Sequence, residues 1–164
     1  LAIYDSGTRV PEHFSIQKSG AVGPGAKLNG AFLNNADLRG VDLRQSILMG
    51  AYLSGADLSG AILDETSLAG ADLRNAKLRG AMCRGTRFGT SQLDMADFRG
   101  ANLENAALES VESIRGTDFS LCTGLDHLLE TLLSRDAMEL DHWNPFTRST
   151  ARQSLESLKT EAKG

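Results

Sequence analysis

From Ala26 onward the chain repeats one pattern: a small residue, a variable residue, a large apolar residue, then two polar or turn-forming residues. The blocks begin AKLNG, AFLNN, ADLRG, VDLRQ, SILMG, AYLSG and end ANLEN, AALES. Seventeen of them run from 26 to 110 without a break. The middle residue is Leu in fourteen blocks, Phe at Phe88 and Phe98, and Cys at Cys83. The first residue is Ala except at Val41, Ser46, Thr66, Thr86 and Ser91. A period of five fits neither an amphipathic helix, which repeats near 3.6, nor a half-buried strand, which repeats at 2. A helix would spread these leucines around its whole surface. After Ser110 one extra residue, read as Val111, breaks the phase, and two more blocks follow, ESIRG (112–116) and TDFSL (117–121).

The blocks ADLRG, ADLSG, ADLRN and ANLEN match the motif A(D/N)LXX, and the repeat region resembles the pentapeptide-repeat family. The resemblance implies an all-β solenoid, a right-handed quadrilateral (four-sided) β-helix with one block per side and twenty residues per turn. At the spacing of about 4.8 Å between neighbouring strands, the repeat rod is roughly 20–25 Å long. Central residues then stack in four interior ladders, beginning at Leu28 on face one, Leu33 on face two, Leu38 on face three and Leu43 on face four. The small residues also point inward. On face one they read Ala26, Ser46, Thr66, Thr86 and Ala106, so three hydroxyls enter the interior, where they are expected to bond to backbone or to each other. Cys83 and Cys122 share face four two coils apart, about 9–10 Å, which is too far for a disulfide. Two separate thiols are expected.

Stacked coils bury apolar groups only against neighbours, so both ends need covers. The expected division is an N-terminal capping segment over 1–25, the repeat β-helix over 26–121 and a short α-helical C-terminal cap over 122–164. In the cap, Leu125, Leu128, Leu129, Leu132 and Leu133 sit at helical spacing, from a start near Thr123 or Gly124. They are a candidate cap face, or alternatively a homodimer face. A second helix is expected from about Thr150 to Lys159, with Thr150 and Gln153 as a capping box. Pro145 keeps the link between the helices non-helical. The stretch from Asn144 to Leu155 is similar to the tail of cyanobacterial and thylakoid-lumen pentapeptide proteins, with Asn144, Pro145, Thr147, Arg152, Ser154 and Leu155 agreeing. Those relatives tie this tail with a cysteine pair; here no cysteine follows Cys122. The tail implies a thylakoid-lumen or periplasmic setting.

Four apolar side chains occupy outward positions in the first two coils: Phe32, Ile47, Met49 and Tyr52. They form a candidate protein-contact patch. The alternative is that residues 1–25, with Leu1, Ile3, Tyr4, Val10, Phe14 and Ile16, fold back over them. Face three carries Asp37 and Arg39, Asp57 and Ser59, Lys77 and Arg79, Asp97 and Arg99, a mixed charge ladder of the kind that faces solvent.

Composition narrows the function. Charged groups nearly balance, with 17 basic and 21 acidic residues and a net charge of −4. No basic signature for nucleic acid is present, and no apolar run approaches the roughly 20 residues of a membrane span. His13, His127 and His142 lack metal-ligand spacing. Gly20, Gly23 and Gly25 lack the Lys-Ser/Thr of a phosphate loop. Leucines fill the lumen, so no pocket for catalysis, cofactor or metal is expected. The favoured reading is a non-catalytic interaction or scaffolding module with an unidentified protein partner. Two alternatives stand beside it. One is a DNA mimic that binds gyrase or topoisomerase, which needs a long, strongly negative rod; here residues 26–110 hold nine basic and ten acidic residues. The other is the repeat domain of a larger secreted or effector protein, with which an opening Leu1 instead of Met is consistent.

Overall fold

The computed structural model describes residues 1–163, and side chains through Lys159. Its repeat region is a stack of four-sided coils. Each outward second residue pairs in parallel with the residue twenty positions on: Lys27 with Ile47, Phe32 with Tyr52, Asp37 with Asp57 and Asp42 with Ile62, continuing coil by coil. Each side adds a single rung, so the walls are ladders of isolated bridges and not long strands. The regular strands of the described residues are two short ones in the C-terminal cap, β1 (Trp143–Asn144) and β2 (Ser149–Thr150).

The corners explain why the period is five. The N–H of each block's first residue donates to the carbonyl of the preceding central residue, as from Ala31 to Leu28 (3.1 Å) and from Ala56 to Leu53 (3.0 Å). The residue before that donor has positive φ: Gly30 (64°), Asn35 (58°), Gly40 (67°), Gln45 (58°) and so on. A four-residue hydrogen-bonded turn with positive φ at its third position is the signature of a type II turn, which favours Gly or Asn there. This is why the fifth position is rich in Gly and Asn. Where Glu65, Thr90 and Met95 stand instead, the left-handed conformation costs of order 1 kcal/mol each.

Inside, the central Leu ladder and the Ala ladder are fully buried through the middle coils. Phe88 meets Phe98 edge-on at 5.7 Å, and Phe98 stacks on Phe119 one coil later. The interior hydroxyls all find carbonyls. Thr66 Oγ1 donates to Leu43 O (2.6 Å), Thr86 Oγ1 to Leu63 O (2.7 Å) and Thr117 Oγ1 to Leu93 O (2.7 Å), each reaching the coil before it. Ser46 and Ser91, with shorter reach of contact, bond within their own corner.

The phase break is placed one residue later than the sequence suggested. Beyond it, rungs join residues twenty-one apart: Gln92 with Ser113, Asp97 with Asp118, Asn102 with Thr123. Val111 is not the extra residue. It is buried in the small-residue position and makes the ordinary corner bond to Leu108 O. Glu112 is the bulged residue and is exposed. Its carbonyl accepts from Arg135 Nη2 (3.0 Å), and Glu139 Oε1 accepts from the neighbouring Ile114 N (2.6 Å). The cap therefore satisfies the backbone groups the bulge disturbs.

The cap contains α1 (Leu129–Leu133), α2 (Ala137–Leu140), the β1–β2 hairpin and α3 (Ala151–Lys163). The helix expected from Thr123 or Gly124 begins later. Thr123 still forms a coil rung, and Gly124 turns with φ +83° so close to Glu104 that a Cβ would strike its backbone. Leu125, Leu128, Leu129 and Leu132 are buried and Leu133 partly so, in one core continuous with the coil interior. The Thr150–Gln153 capping box forms reciprocally, with bonds of 3.0 and 3.1 Å. The stretch around Pro145 is non-helical, as expected, and forms the turn of the antiparallel hairpin, with Asn144 Oδ1 accepting from Phe146 N (2.9 Å).

At the other end, Ile3 pairs in parallel with Val22, and Lys27 N donates to Gln17 O (2.7 Å). Tyr4 is buried and donates to Pro24 O (2.7 Å).

Two substitutions test this geometry by urea denaturation. Ala56→Leu overfills the interior and is expected to cost about 1–3 kcal/mol. Thr90→Gly relieves left-handed strain and is expected to gain about 0.5–1 kcal/mol, net of the added chain entropy. A neutral Ala56→Leu would mean that the first position is not sealed.

Candidate interaction surface

The rungs dictate the outer surface as strictly as the core. Because Phe32 and Tyr52 occupy the same position on successive coils, their rings must lie face to face. The centroids are 5.0 Å apart and the planes 8° from parallel. Phe32 is 82% exposed, Tyr52 45% and Met49 47%, while Ile47 is partly buried beside them. The structure thus brings all four candidate patch residues to the first two coils of faces one and two. It does not lay residues 1–25 over them. That segment follows face four, with Ile3, Tyr4, Asp5 and Thr8 beside Arg39–Asp42, and it meets face one at Gln17. Leu1, Ile3, Val10 and Phe14 are themselves exposed. The bonds that hold the segment run from Val22 N to Ala2 O (2.8 Å), from Tyr4 N to Val22 O (2.8 Å) and from Lys27 N to Gln17 O (2.7 Å).

The charged positions are paired. Within single blocks, the guanidinium forks of Arg39, Arg44, Arg74 and Arg99 grip Asp37, Asp42, Asp72 and Asp97, with closest approaches of 2.7–2.8 Å. Arg84 does the same to Asp64 one coil earlier, at 2.6 Å. The hydrogen bonds from Arg39 hold the Asp37 carboxyl down at about 2. On face three the pairs are Asp37 with Arg39 and Asp97 with Arg99, while Lys77 and Arg79 stand between Asp57 and Asp97, with Arg79 3.9 Å from Asp97.

The walls are not uniformly flat. The β1–β2 hairpin leans over face three and leaves a concavity of about 580 Å³, bordered by Asp57, Lys77, Arg79, Asp97, Arg99 and the exposed Phe146. Sequence reasoning missed it because the hairpin itself was missed. Asp97 is occupied by Arg99, and Asp57 by the N–H of Ser59, so neither carboxylate is an unengaged base. No cluster of potential metal ligands occurs among the described residues. No helix of the described residues is long and apolar enough to cross a membrane.

The five cap leucines face into the chain's own core, and beside Arg135 and Glu139 the residues that bind the cap to the coil include those of the tail motif. Asn144 Nδ2 donates to Gly116 O (2.8 Å), Ser154 Oγ accepts from Phe119 N (3.0 Å), and Leu155 is fully buried. Arg152 pairs with Asp141 (2.6 Å).

Both cysteines are free and buried. Burial pushes the Cys83 thiol far up and the Cys122 thiol up to about 12. Cys122 Sγ donates to Phe98 O (3.0 Å) in the manner of the interior threonines. Raised pKa values mean that native thiols stay protonated through the alkaline range in which unfolded ones ionise. A chromogenic disulfide reagent at pH 8 is expected to titrate neither cysteine in the folded protein and both after denaturation. Fast reaction of either native thiol would contradict this burial.

The comparisons with known proteins agree with this architecture. The family model "Pentapeptide repeats" matches residues 24–55 and 51–89. A pentapeptide repeat protein from the Arabidopsis thaliana thylakoid lumen is 30% identical, over 81% of this chain and 89% of its own, with a TM-score of 0.58. HetL, a pentapeptide repeat protein involved in heterocyst differentiation regulation in the cyanobacterium Nostoc, is 27% identical over 66% of this chain and 61% of its own, with a TM-score of 0.31. A plasmid-mediated fluoroquinolone resistance protein, QnrB1, is 22% identical over 71% of each chain, with a TM-score of 0.45. No curated protein sequence matches significantly. With its five-residue repeat, its twenty-residue rungs and a 30% identical relative matched over most of both chains, this chain belongs to the pentapeptide-repeat family.

Proposed function

We propose that the chain is a non-catalytic interaction or scaffolding module that engages a protein partner through Phe32, Ile47, Met49 and Tyr52. The observation that carries this reading is the exposed, parallel Phe32–Tyr52 stack. Aromatic rings and Met left in water on a rigid wall are a contact surface held ready, with little side-chain entropy left to lose on binding. The filled interior and engaged carboxylates argue against catalysis. Dimerisation through the cap leucines is disfavoured, since those side chains already serve the chain's own core. Mimicry of DNA is disfavoured too, because the wall aspartates are neutralised by arginines in place and offer no phosphate-like field. A thylakoid-lumen or periplasmic setting is supported by the tail residues and by the lumenal relative.

The test is crosslinking capture with tagged protein in extract of its own source, beside the variant Met49→Glu/Tyr52→Glu. Both substitutions are on the exposed surface, where the expected stability change is within about 0.5 kcal/mol. A specific partner captured by the wild type and lost in the double variant is the expected result. A partner retained by the double variant would remove the patch from the proposal.

A further inference from the structure

The first coil is covered unequally. In every stacked pair of coils, the second residue of the upper side donates its N–H to the lower small residue and accepts from the lower central residue, as Tyr52 N to Ala31 O (2.9 Å) and Leu33 N to Tyr52 O (2.8 Å). In the first coil these downward groups have no coil beneath them. On face one, Gln17 O takes the N–H of Lys27. On face four, residues 21–25 lie beneath: Gly25 N donates to Arg44 O (2.8 Å), and Val22 is in turn bonded to Ala2 and Tyr4, although the N–H and C=O of Asp42 itself have no backbone partner among the described residues. On faces two and three the N–H and C=O groups of Phe32 and Asp37 have no hydrogen-bond partner among the described residues, and no segment of the chain lies beneath them. Burial shows the same opening. Ala51 and Ala56 are fully sealed, but their counterparts Ala31 and Ala36 in the first coil are partly exposed. Phe32 also has one ring face against Tyr52 and the other in water.

The geometry points to strand addition at this edge: faces two and three of the first coil accept an extended polypeptide segment of a partner, running parallel to Ala31–Leu38. This rests on the reading of the aromatic patch as an interaction surface and specifies how the partner is held. A row of unpaired backbone donors and acceptors on a rigid edge is a template for a further strand. The occupant's chemistry follows from the columns it would extend. Opposite Phe32 it carries an aromatic or large apolar residue, which continues the outer stack. One residue before that, it carries a small residue, which seals Ala31. The next residue is apolar and enters beneath Leu33. It bends after five residues to continue onto face three, below Asp37.

A suitable probe is a blocked decapeptide copying Ala51–Gly60, the sequence that already covers the upper side of these two faces. Titrated into isotope-labelled protein, it is expected to give saturable NMR shifts centred on the amides of residues 31–38, and to slow hydrogen exchange at Phe32 and Asp37. Methylating the backbone nitrogens of the peptide's two leucines removes the donors to Phe32 O and Asp37 O. Loss of two hydrogen bonds is expected to weaken binding about tenfold or more. Asp37→Pro removes an N–H that the fold itself does not use, and is expected to weaken binding similarly. If that variant does not fold, the methylated peptide decides alone. Absence of shifts at millimolar peptide, shifts centred elsewhere, or full binding of the methylated peptide would overturn the inference. A partner captured by Asp37→Pro but lost in Met49→Glu/Tyr52→Glu would retain the patch and remove strand addition.

Discussion

Each side of the coil up to Asn105 ends in a residue with positive φ, and the rest of the molecule depends on that turn. It bends the chain through about a quarter revolution every five residues, so four turns return it to its starting direction and residue i lies over residue i − 20. Local conformation thereby creates long-range order. The inward column is Leu on Leu because the turn repeats, and the outward column is Phe32 on Tyr52 for the same reason. No other feature of the repeat region carries as much, since each side supplies only three backbone hydrogen bonds to the next coil and each coil buries its leucines only against its neighbours.

A fold of this kind separates interior and exterior almost completely. Two of five positions are committed to the core, and the three outward ones are free to vary without disturbing it. In this chain the outward charges include five close Asp–Arg pairs that cancel locally, leaving a well-solvated wall. Against that background the aromatic stack is an exception, and it sits next to the coil edge that the N-terminal segment leaves uncovered. Two unrelated accounts, one of side-chain hydration and one of backbone hydrogen bonding, thus lead to the same corner of the molecule.

Much of this was legible in the sequence because the repeat is strict. The register, the interior ladders, the hydroxyls at Ser46, Thr66 and Thr86, and the exterior placement of Phe32 and Tyr52 all follow from counting. Counting failed where the period fails. It assigned the bulge to Val111, because a hydrophobic residue between two polar blocks looks inserted; burial favours keeping Val111 inside and extruding Glu112. It also missed α2 and the β1–β2 hairpin, short elements whose periodicity is too brief to read, and with them the concavity over face three. The path of residues 1–25 was not legible, because their apolar residues suggested covering the patch, whereas the bonds that hold them are backbone bonds to Val22 and Lys27, which leave no mark on side-chain type. The tail motif, first noticed as a likeness to other chains, proves to be a set of docking contacts: Asn144 to Gly116, Ser154 to Phe119, and Leu155 in the core.

The twenty-residue coil also governs how such a chain can change length. Duplicating one whole coil would lengthen the rod by a single layer and leave its two ends facing as before. Duplicating one block would turn the C-terminal cap by a quarter revolution about the axis, carrying the hairpin from above face three to above a neighbouring wall. The bearing of Phe146 relative to the Phe32–Tyr52 stack is therefore set in steps of about ninety degrees. A single inserted residue such as Glu112 is absorbed as a bulge and leaves that bearing unchanged. Relatives of different length could thus differ in the compass direction of their two ends while sharing every local contact.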